Sequence, residues 1–127
     1  MRKFLRTAFR LLYKRIAKPI LFGQDPEAVH DRITSLGAQL GKSLFGRSSM
    51  AAIFAYHHPV LEQKLWGIHF SNPVGLSAGF DKEAHLYPIM KSVGFGFSEI
   101  GTVTYGPYAG NPKPRLYRLP QSEGLVV

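Results

Sequence analysis

Cysteine is absent from the 127 residues of the chain. That excludes a disulfide framework and any thiolate metal site, and it fits a reducing compartment. Acidic residues are absent before Asp25, while Arg2, Lys3, Arg6, Arg10, Lys14, Arg15 and Lys18 all precede it. Those charges exclude a membrane-spanning helix over the first 22 residues. The same stretch has no long uninterrupted apolar core and no small-residue cleavage site, so a secretory signal is not expected. No internal repeat or low-complexity tract is present. The formal net charge is +8, from 16 Lys and Arg against 8 Asp and Glu. Because seven of the cations crowd into the first segment, the remainder is close to neutral. The high isoelectric point therefore describes one segment and gives no reason to expect a nucleic-acid-binding domain.

What is there begins with helices. Leu5, Phe9, Leu12, Ile16 and Ile20 recur at helical spacing, so residues Arg2 to Phe22 are predicted as a helix ended by Pro19 and Gly23. Arg6, Arg10, Lys14 and Lys18 form an i, i+4 stripe with no acid to pair with, and anionic lipid headgroups would relieve its self-repulsion. A solvated helix face and a mitochondrial-type presequence are the competing readings. Asp25-Pro26-Glu27 opens a second helix, with Asp25 as N-cap and Pro26 in the first helical position. Its apolar face carries Val29, Ile33, Leu36 and Leu40, and Gly41 closes it. Together the two make a helical hairpin able to bury a groove. Lys42 to Arg47 reads as a loop. Ser48 or Ser49 caps a third helix through Tyr56, which His57-His58-Pro59 breaks. Adjacent histidines point apart on a helix, so no metal site is assigned there. Val60 to Ser71 alternates and bends at Gly67, which predicts a β-hairpin.

The centre of the chain is Asn72-Pro73-Val74-Gly75-Leu76-Ser77-Ala78-Gly79-Phe80-Asp81-Lys82. A short apolar strand, Val74 to Ser77, runs into small residues and then a charged pair. Glu99-Ile100-Gly101-Thr102-Val103-Thr104 repeats the pattern at the end of a strand from Phe97 to Gly101. Ala84 to Val93, closed by Gly94, reads as the helix between them. Strand, helix, strand is a βαβ unit with parallel strands, so both small-residue ends lie at one sheet edge. Free backbone N–H groups there, with Lys82 beside them, suit a phosphate or another electron-rich group. A Gly/Pro-rich loop, Tyr105 to Pro114, precedes an extended segment, Arg115 to Leu119.

These two motifs, followed by Gly110-Asn111-Pro112-Lys113-Pro114-Arg115-Leu116-Tyr117-Arg118-Leu119, resemble the membrane-associated, quinone-dependent (class 2) dihydroorotate dehydrogenases. The resemblance runs from Asp25 to the end. It implies an α/β fold: the start of a TIM (β/α)8 barrel, truncated, preceded by an N-terminal α-helical membrane-associated hairpin. The corresponding division is a helical membrane and quinone-access region at residues 1–58 and the first part of an FMN-binding barrel at 59–127. A whole TIM barrel takes ~250 residues, about twice this length.

The resemblance also implies FMN as cofactor, dihydroorotate and orotate as substrate and product in pyrimidine biosynthesis, and a membrane quinone as electron acceptor. Ala78, Gly79, Phe80, Asp81, Lys82 and Thr102 match the family's FMN contacts, and Lys82 also its substrate contact. His30 and Arg118 match polar residues lining the quinone tunnel. The family's serine base has no counterpart here, since Ser77, Ser98 and Ser122 do not match it; it is expected beyond Val127, and this stretch alone is expected to be inactive. Tyr108 departs from the family's usual glutamine, and Tyr105-Gly106 from a proline-containing turn. The implied location is peripheral, on the cytoplasmic face of a bacterial inner membrane or on the mitochondrial inner membrane. Another FMN-binding TIM-barrel oxidoreductase and a non-enzymatic membrane-surface module are the alternatives. The first does not account for residues 1–56, and the second leaves the motifs between Asn72 and Leu119 unexplained.

Overall fold

The computed structural model describes residues 2–127, with side chains from residue 4 onward, so the charges of Arg2 and Lys3 lie outside the described side chains. The first helical stretch is α1 (Arg2–Leu12), a π-helical turn (Tyr13–Ala17) and α2 (Lys18–Phe22). Contrary to expectation, Pro19 does not end the helix. It has no N–H and would crowd the carbonyl four residues back in a regular α-helix. The wider π turn just before it, in which the Lys18 N–H reaches the Tyr13 carbonyl, removes that conflict. α1 docks on a later helix, α4 (Leu44–Phe54), through an edge-on contact of Phe9 and Phe54 with ring centroids 5.3 Å apart. Arg6 donates to the carbonyls of Ile53 (3.2 Å) and Ala55 (3.4 Å), a cation at the negative end of α4.

Between them lies α3 (Pro26–Lys42), which starts as its sequence predicts: the Asp25 carboxylate accepts the Ala28 N–H at 2.8 Å. Its end differs. Gly41 is not a terminator but sits buried inside the helix, where a Cβ would press on Pro88 and Ile89. The expected loop from Lys42 to Arg47 is replaced by a one-residue joint. Ser43 takes an extended conformation, ends α3, and caps α4 by accepting the Gly46 N–H at 2.8 Å. Gly46 is buried in the first turn of α4 because a Cβ there would collide with the Leu40 carbonyl. α4 stops at Phe54, two residues before its expected end, where Ala55 turns extended.

A short 3₁₀ turn (Pro59–Leu61) leads to the predicted hairpin, β1 (Gln63–Leu65) antiparallel to β2 (Ile68–Phe70). Its two-residue turn, Trp66-Gly67, has positive φ at both positions (52° and 81°), which matches the right-handed twist of the strands. β3 (Gly75–Leu76) and β4 (Phe97–Ser98) form the expected parallel pair, in register Gly75↔Phe97 and Leu76↔Ser98, but each has only two residues. The intervening helix, α5 (Tyr87–Met90), is shorter than the stretch Ala84 to Val93 suggested. Ala84 sits at φ 58°, a value no helical residue adopts. β5 (Tyr117–Leu119) pairs antiparallel with β6 (Gly124–Val126), so the apolar run near the C-terminus is a strand partner that the pattern alone did not reveal.

The core is small and lies between α3 and α5. Leu86, Ile89 and Met90 are buried there, with Leu40, Met50, Leu76, Val93 and Phe95 packed around them. Gly37 and Gly41, one turn apart on α3, let α5 approach closely: a Cβ on Gly37 would lie 2.6 Å from the Leu86 side chain. Much apolar surface stays outside, including Phe4 (76% exposed), Phe45 (83%) and Trp66 (91%). Among the described residues no helix is long and apolar enough to cross a membrane.

Candidate functional site

The site begins with Asn72, which is buried. Its side-chain amide donates to the Gly94 carbonyl (3.2 Å) and its oxygen accepts the Val74 N–H (2.9 Å). One side chain thereby ties the start of β3 to the approach to β4. The Gly96 N–H reaches the Val74 carbonyl at 2.9 Å and the Glu99 N–H reaches the Leu76 carbonyl at 2.8 Å, so the two chains run on side by side. Gly96 is required here, since a Cβ would strike the Asn72 carbonyl oxygen. The loops after Leu76 and after Ser98 therefore leave the sheet at one edge.

On the first loop, Ala78, Gly79, Phe80 and Lys82 are exposed. Gly79 has φ 98°, and the space its missing Cβ would fill is open. Among the described residues, the N–H groups of Ala78, Gly79 and Phe80 have no hydrogen-bond acceptor. Three free donors in an open backbone loop suit an anionic or electron-rich ligand. Lys82 makes no ion pair among the described residues: Glu83 pairs instead with His85 at 3.3 Å. Asp81 behaves differently. It is 4% exposed, and its carboxylate accepts the Leu86 N–H at 2.9 Å. The side chain holds the turn into α5 and is turned away from solvent. Thr102 follows the buried Gly101 at the same edge and is exposed.

His30, on α3, reaches this loop. Its Nε2 donates to the Phe80 carbonyl at 2.7 Å, and its ring meets the Phe80 ring edge-on at 5.1 Å. Nδ1 lies 3.3 Å from the Asp31 carboxylate. Arg118 is elsewhere. It lies over the Phe22 ring (4.9 Å) and donates to the Gln24 carbonyl at 2.6 Å, bracing the α2–α3 turn. It lines a cavity of about 570 Å³ with Phe22, Pro26, Pro114 and Leu116 among the walls; His30 does not line it. The two residues expected to share a tunnel are thus engaged with different partners.

Sequence reasoning missed the groups that hold the segment before Arg118. Glu27 was legible only as an acid at a helix start. Its carboxylate accepts from Arg115 Nη2 (2.7 Å) and Nε (3.1 Å) and pairs with Lys113 (3.1 Å). The Arg115 guanidinium holds the Glu27 carboxyl below the usual carboxylate range, with burial pushing the other way. The pair is therefore in place at neutral pH and weakens as pH falls through that lowered value. Arg115 and Glu27 are 88 residues apart, and no local pattern announces such a partner. Among the described residues no cluster of His, Asp or Glu is arranged to hold a metal.

A parallel strand pair followed by open small-residue loops at one edge defines an α/β protein. The family model for dihydroorotate dehydrogenase matches residues 60–126, over half of the chain. The chain belongs to the dihydroorotate dehydrogenase family. It is 45% identical over 112 residues to the dihydroorotate dehydrogenase (quinone) of Gloeobacter violaceus, covering 88% of this chain and 31% of the relative. It is 42% identical over 111 residues to the protein of the same name from Acidithiobacillus ferrooxidans, covering 87% and 31%. The crystal structure of DHODH from Eimeria tenella in complex with ferulenol superposes with a TM-score of 0.61 at 36% identity, covering 78% of this chain and 26% of that one. The chain spans about a third of the length of these curated relatives.

Proposed function

We propose that this chain is the N-terminal part of an FMN-dependent enzyme that oxidises dihydroorotate to orotate, in pyrimidine biosynthesis, and passes the electrons to a membrane quinone. The observation that carries the reading is the shared edge of β3 and β4, where the open Ala78–Phe80 backbone, the unpaired Lys82 and Thr102 are brought together. On this reading the loop from Ala78 to Lys82 and Thr102 hold the flavin. FMN, when bound, supplies the hydride acceptor. The Lys82 ammonium favours negative charge on the flavin ring and on the substrate carboxylate. The Thr102 hydroxyl gives the ring a donor or an acceptor. Asp81 acts from behind the loop, through its bond to the Leu86 N–H. No residue of this chain is assigned as the base.

The names of the relatives support quinone as acceptor. Arg118, at the cavity beside the α2–α3 turn, is assigned to a quinone carbonyl; His30 is assigned to the inner end of the same path, where it joins α3 to the flavin loop. Residues 1–58 serve as the membrane and quinone-access region, and residues 59–127 as the opening part of a (β/α)8 barrel. The exposed apolar side chains of Phe4, Leu12, Leu44 and Phe45, together with Arg10, Lys14 and Arg15, suit a peripheral seat on an anionic membrane surface. We assign that seat to the cytoplasmic face of a bacterial inner membrane.

The test uses the full-length protein that contains this chain. Anaerobic dihydroorotate is expected to bleach a bound flavin's visible absorbance, and a short-tailed quinone to restore it. A purified protein that holds no flavin, or whose flavin is untouched by dihydroorotate, overturns the reading.

A further inference from the structure

Two arginines of one segment hold the junction of α2 and α3, Arg115 at Glu27 and Arg118 at Phe22 and Gln24. Arg115 is bound to Glu27 in the first turn of α3 by both Nε and Nη2, while its Nη1 returns to the carbonyls of Ala109 (2.7 Å) and Asn111 (3.1 Å). The guanidinium thus staples its own loop and joins that loop to α3 in one plane, a geometry lysine does not offer. Pro112 and Pro114 restrict the backbone on either side of Lys113. Three residues after Arg115, Arg118 covers Phe22 and reaches the Gln24 carbonyl, at the end of α2. The cavity of about 570 Å³ lies between this strap and the helical turn. Arg118's anchors are two neutral carbonyls, of Phe22 and Gln24, and a ring face. The charged tie that sets the distance between strap and helices is the one at Glu27, which is only 16% exposed.

We propose that Glu27 is a positioning residue for the electron-acceptor cavity: by clasping Arg115 it fixes where Arg118 stands over the cavity's opening. The proposal rests on the reading of that cavity as the quinone site. Glu27 does not itself line the cavity, and its carboxylate is held by Arg115 and Lys113, so its effect passes through the strap. Loss of its charge releases Arg115 and Lys113 from α3, lets the segment 109–118 move away from it, and leaves Arg118 held by the Gln24 and Phe22 carbonyls and the Phe22 ring. A displacement of about 1 Å at a positioned group is enough to change a rate or an affinity by up to ~100-fold.

The experiment compares full-length wild type, Glu27→Gln, Glu27→Asp and the charge swap Glu27→Arg with Arg115→Glu. Flavin bleaching by dihydroorotate and reoxidation by a short-tailed benzoquinone are followed separately by stopped flow, and amide exchange is measured over residues 109–119. Glu27→Gln is expected to raise the quinone KM roughly tenfold, with the bleaching rate changed less than about twofold. Exchange over the strap is expected to rise with it. Glu27→Asp is expected to recover most of the affinity, and the swap part of it. An unchanged KM overturns the proposal. So does an equal slowing of both half-reactions that tracks a lower melting temperature, since that marks a merely structural residue. Wild-type protein whose flavin is not bleached sinks the functional reading itself, and this proposal with it, a result the wild-type control registers separately from any effect of Glu27.

Discussion

Residues 2–54 and residues 63–126 are built on different economies of contact. The helices satisfy their backbones locally and leave large apolar side chains such as Phe4, Leu44 and Phe45 facing outward. The second half has six strands of two or three residues each, and its order depends on single groups that reach far along the chain: Asn72 to Gly94, His30 to Phe80, Arg115 to Glu27. Helical segments tolerate change because each turn repeats the same bond. The strand half concentrates its geometry in a few positions where one atom too many has no place to go.

That contrast predicts the largest effect at Gly96. Gly96→Ala drives a Cβ into the Asn72 carbonyl and separates β3 from β4. The expected cost is about 3 kcal/mol, at the upper end of overpacking losses. An exposed helical change such as Ala8→Gly costs only ~1 kcal/mol. Denaturant midpoints of the two full-length variants measure the difference, and equal midpoints break the comparison.

Next in size is Lys82→Ala. It removes the unpaired ammonium from the open loop and leaves the fold unaltered, because the lysine packs against nothing buried. Losing one charged hydrogen bond typically costs ~1.5–3 kcal/mol, roughly a ten- to hundredfold weakening of flavin or dihydroorotate binding. Flavin retention after gel filtration and the bleaching rate read it; if neither changes, Lys82 is a solvated lysine.

His30→Ala sharpens the comparison where the two halves meet. Its loss removes one hydrogen bond to Phe80, worth roughly 0.5–1.5 kcal/mol, and an edge-on ring contact. Both flavin reduction and reoxidation are expected to slow, since the bond steadies the flavin loop as well as the helix. Arg118→Ala is expected to slow reoxidation alone. If stopped flow finds His30→Ala confined to reoxidation, the Phe80 bond does nothing for the loop.

The smallest effect lies on the face proposed to meet the membrane. Lys14→Ala is expected to weaken binding to anionic vesicles by about 1 kcal/mol, an effect that fades as salt shortens the screening length below ~8 Å. Arg6→Ala is expected to act otherwise, by loosening α1 from the last carbonyls of α4. Vesicle sedimentation at low and high salt separates the two; salt-independent loss for Lys14→Ala removes it from the lipid face.

What could be read in the sequence follows the same division. Apolar spacing gave the first two helices, Asp25-Pro26-Glu27 gave the start of α3, and small residues after two apolar runs gave the parallel pair and its shared edge. The Ser43 joint escaped because Gly46 carries a loop signature and is placed by the Leu40 carbonyl instead. The overlong helix at Ala84 came from an apolar pattern that does not register a positive φ. Asp81 sits in the motif among the residues proposed to hold a flavin, yet its side chain serves the turn into α5. The Glu27 clasp and the β5–β6 pairing depend on partners that no neighbouring residue indicates.

The π turn at Tyr13–Ala17 changes how the first 22 residues must be drawn. One additional residue in a turn rotates everything after it by about 100° relative to an unbroken α-helix. A helical wheel of constant pitch therefore places Lys18 and Ile20 in the wrong sector relative to Arg6 and Phe9. On such a wheel the i, i+4 cations drift about 40° per step, and the π turn takes back about 100° of that drift before Lys18, which lies over the Phe22 ring at 5.1 Å. Deleting one residue from the π turn would close it to a regular α-turn, leave the two ends of the helix at the same angle, and set Pro19 against the carbonyl four places behind it. The turn that takes back the drift of the stripe is the turn that makes room for the proline.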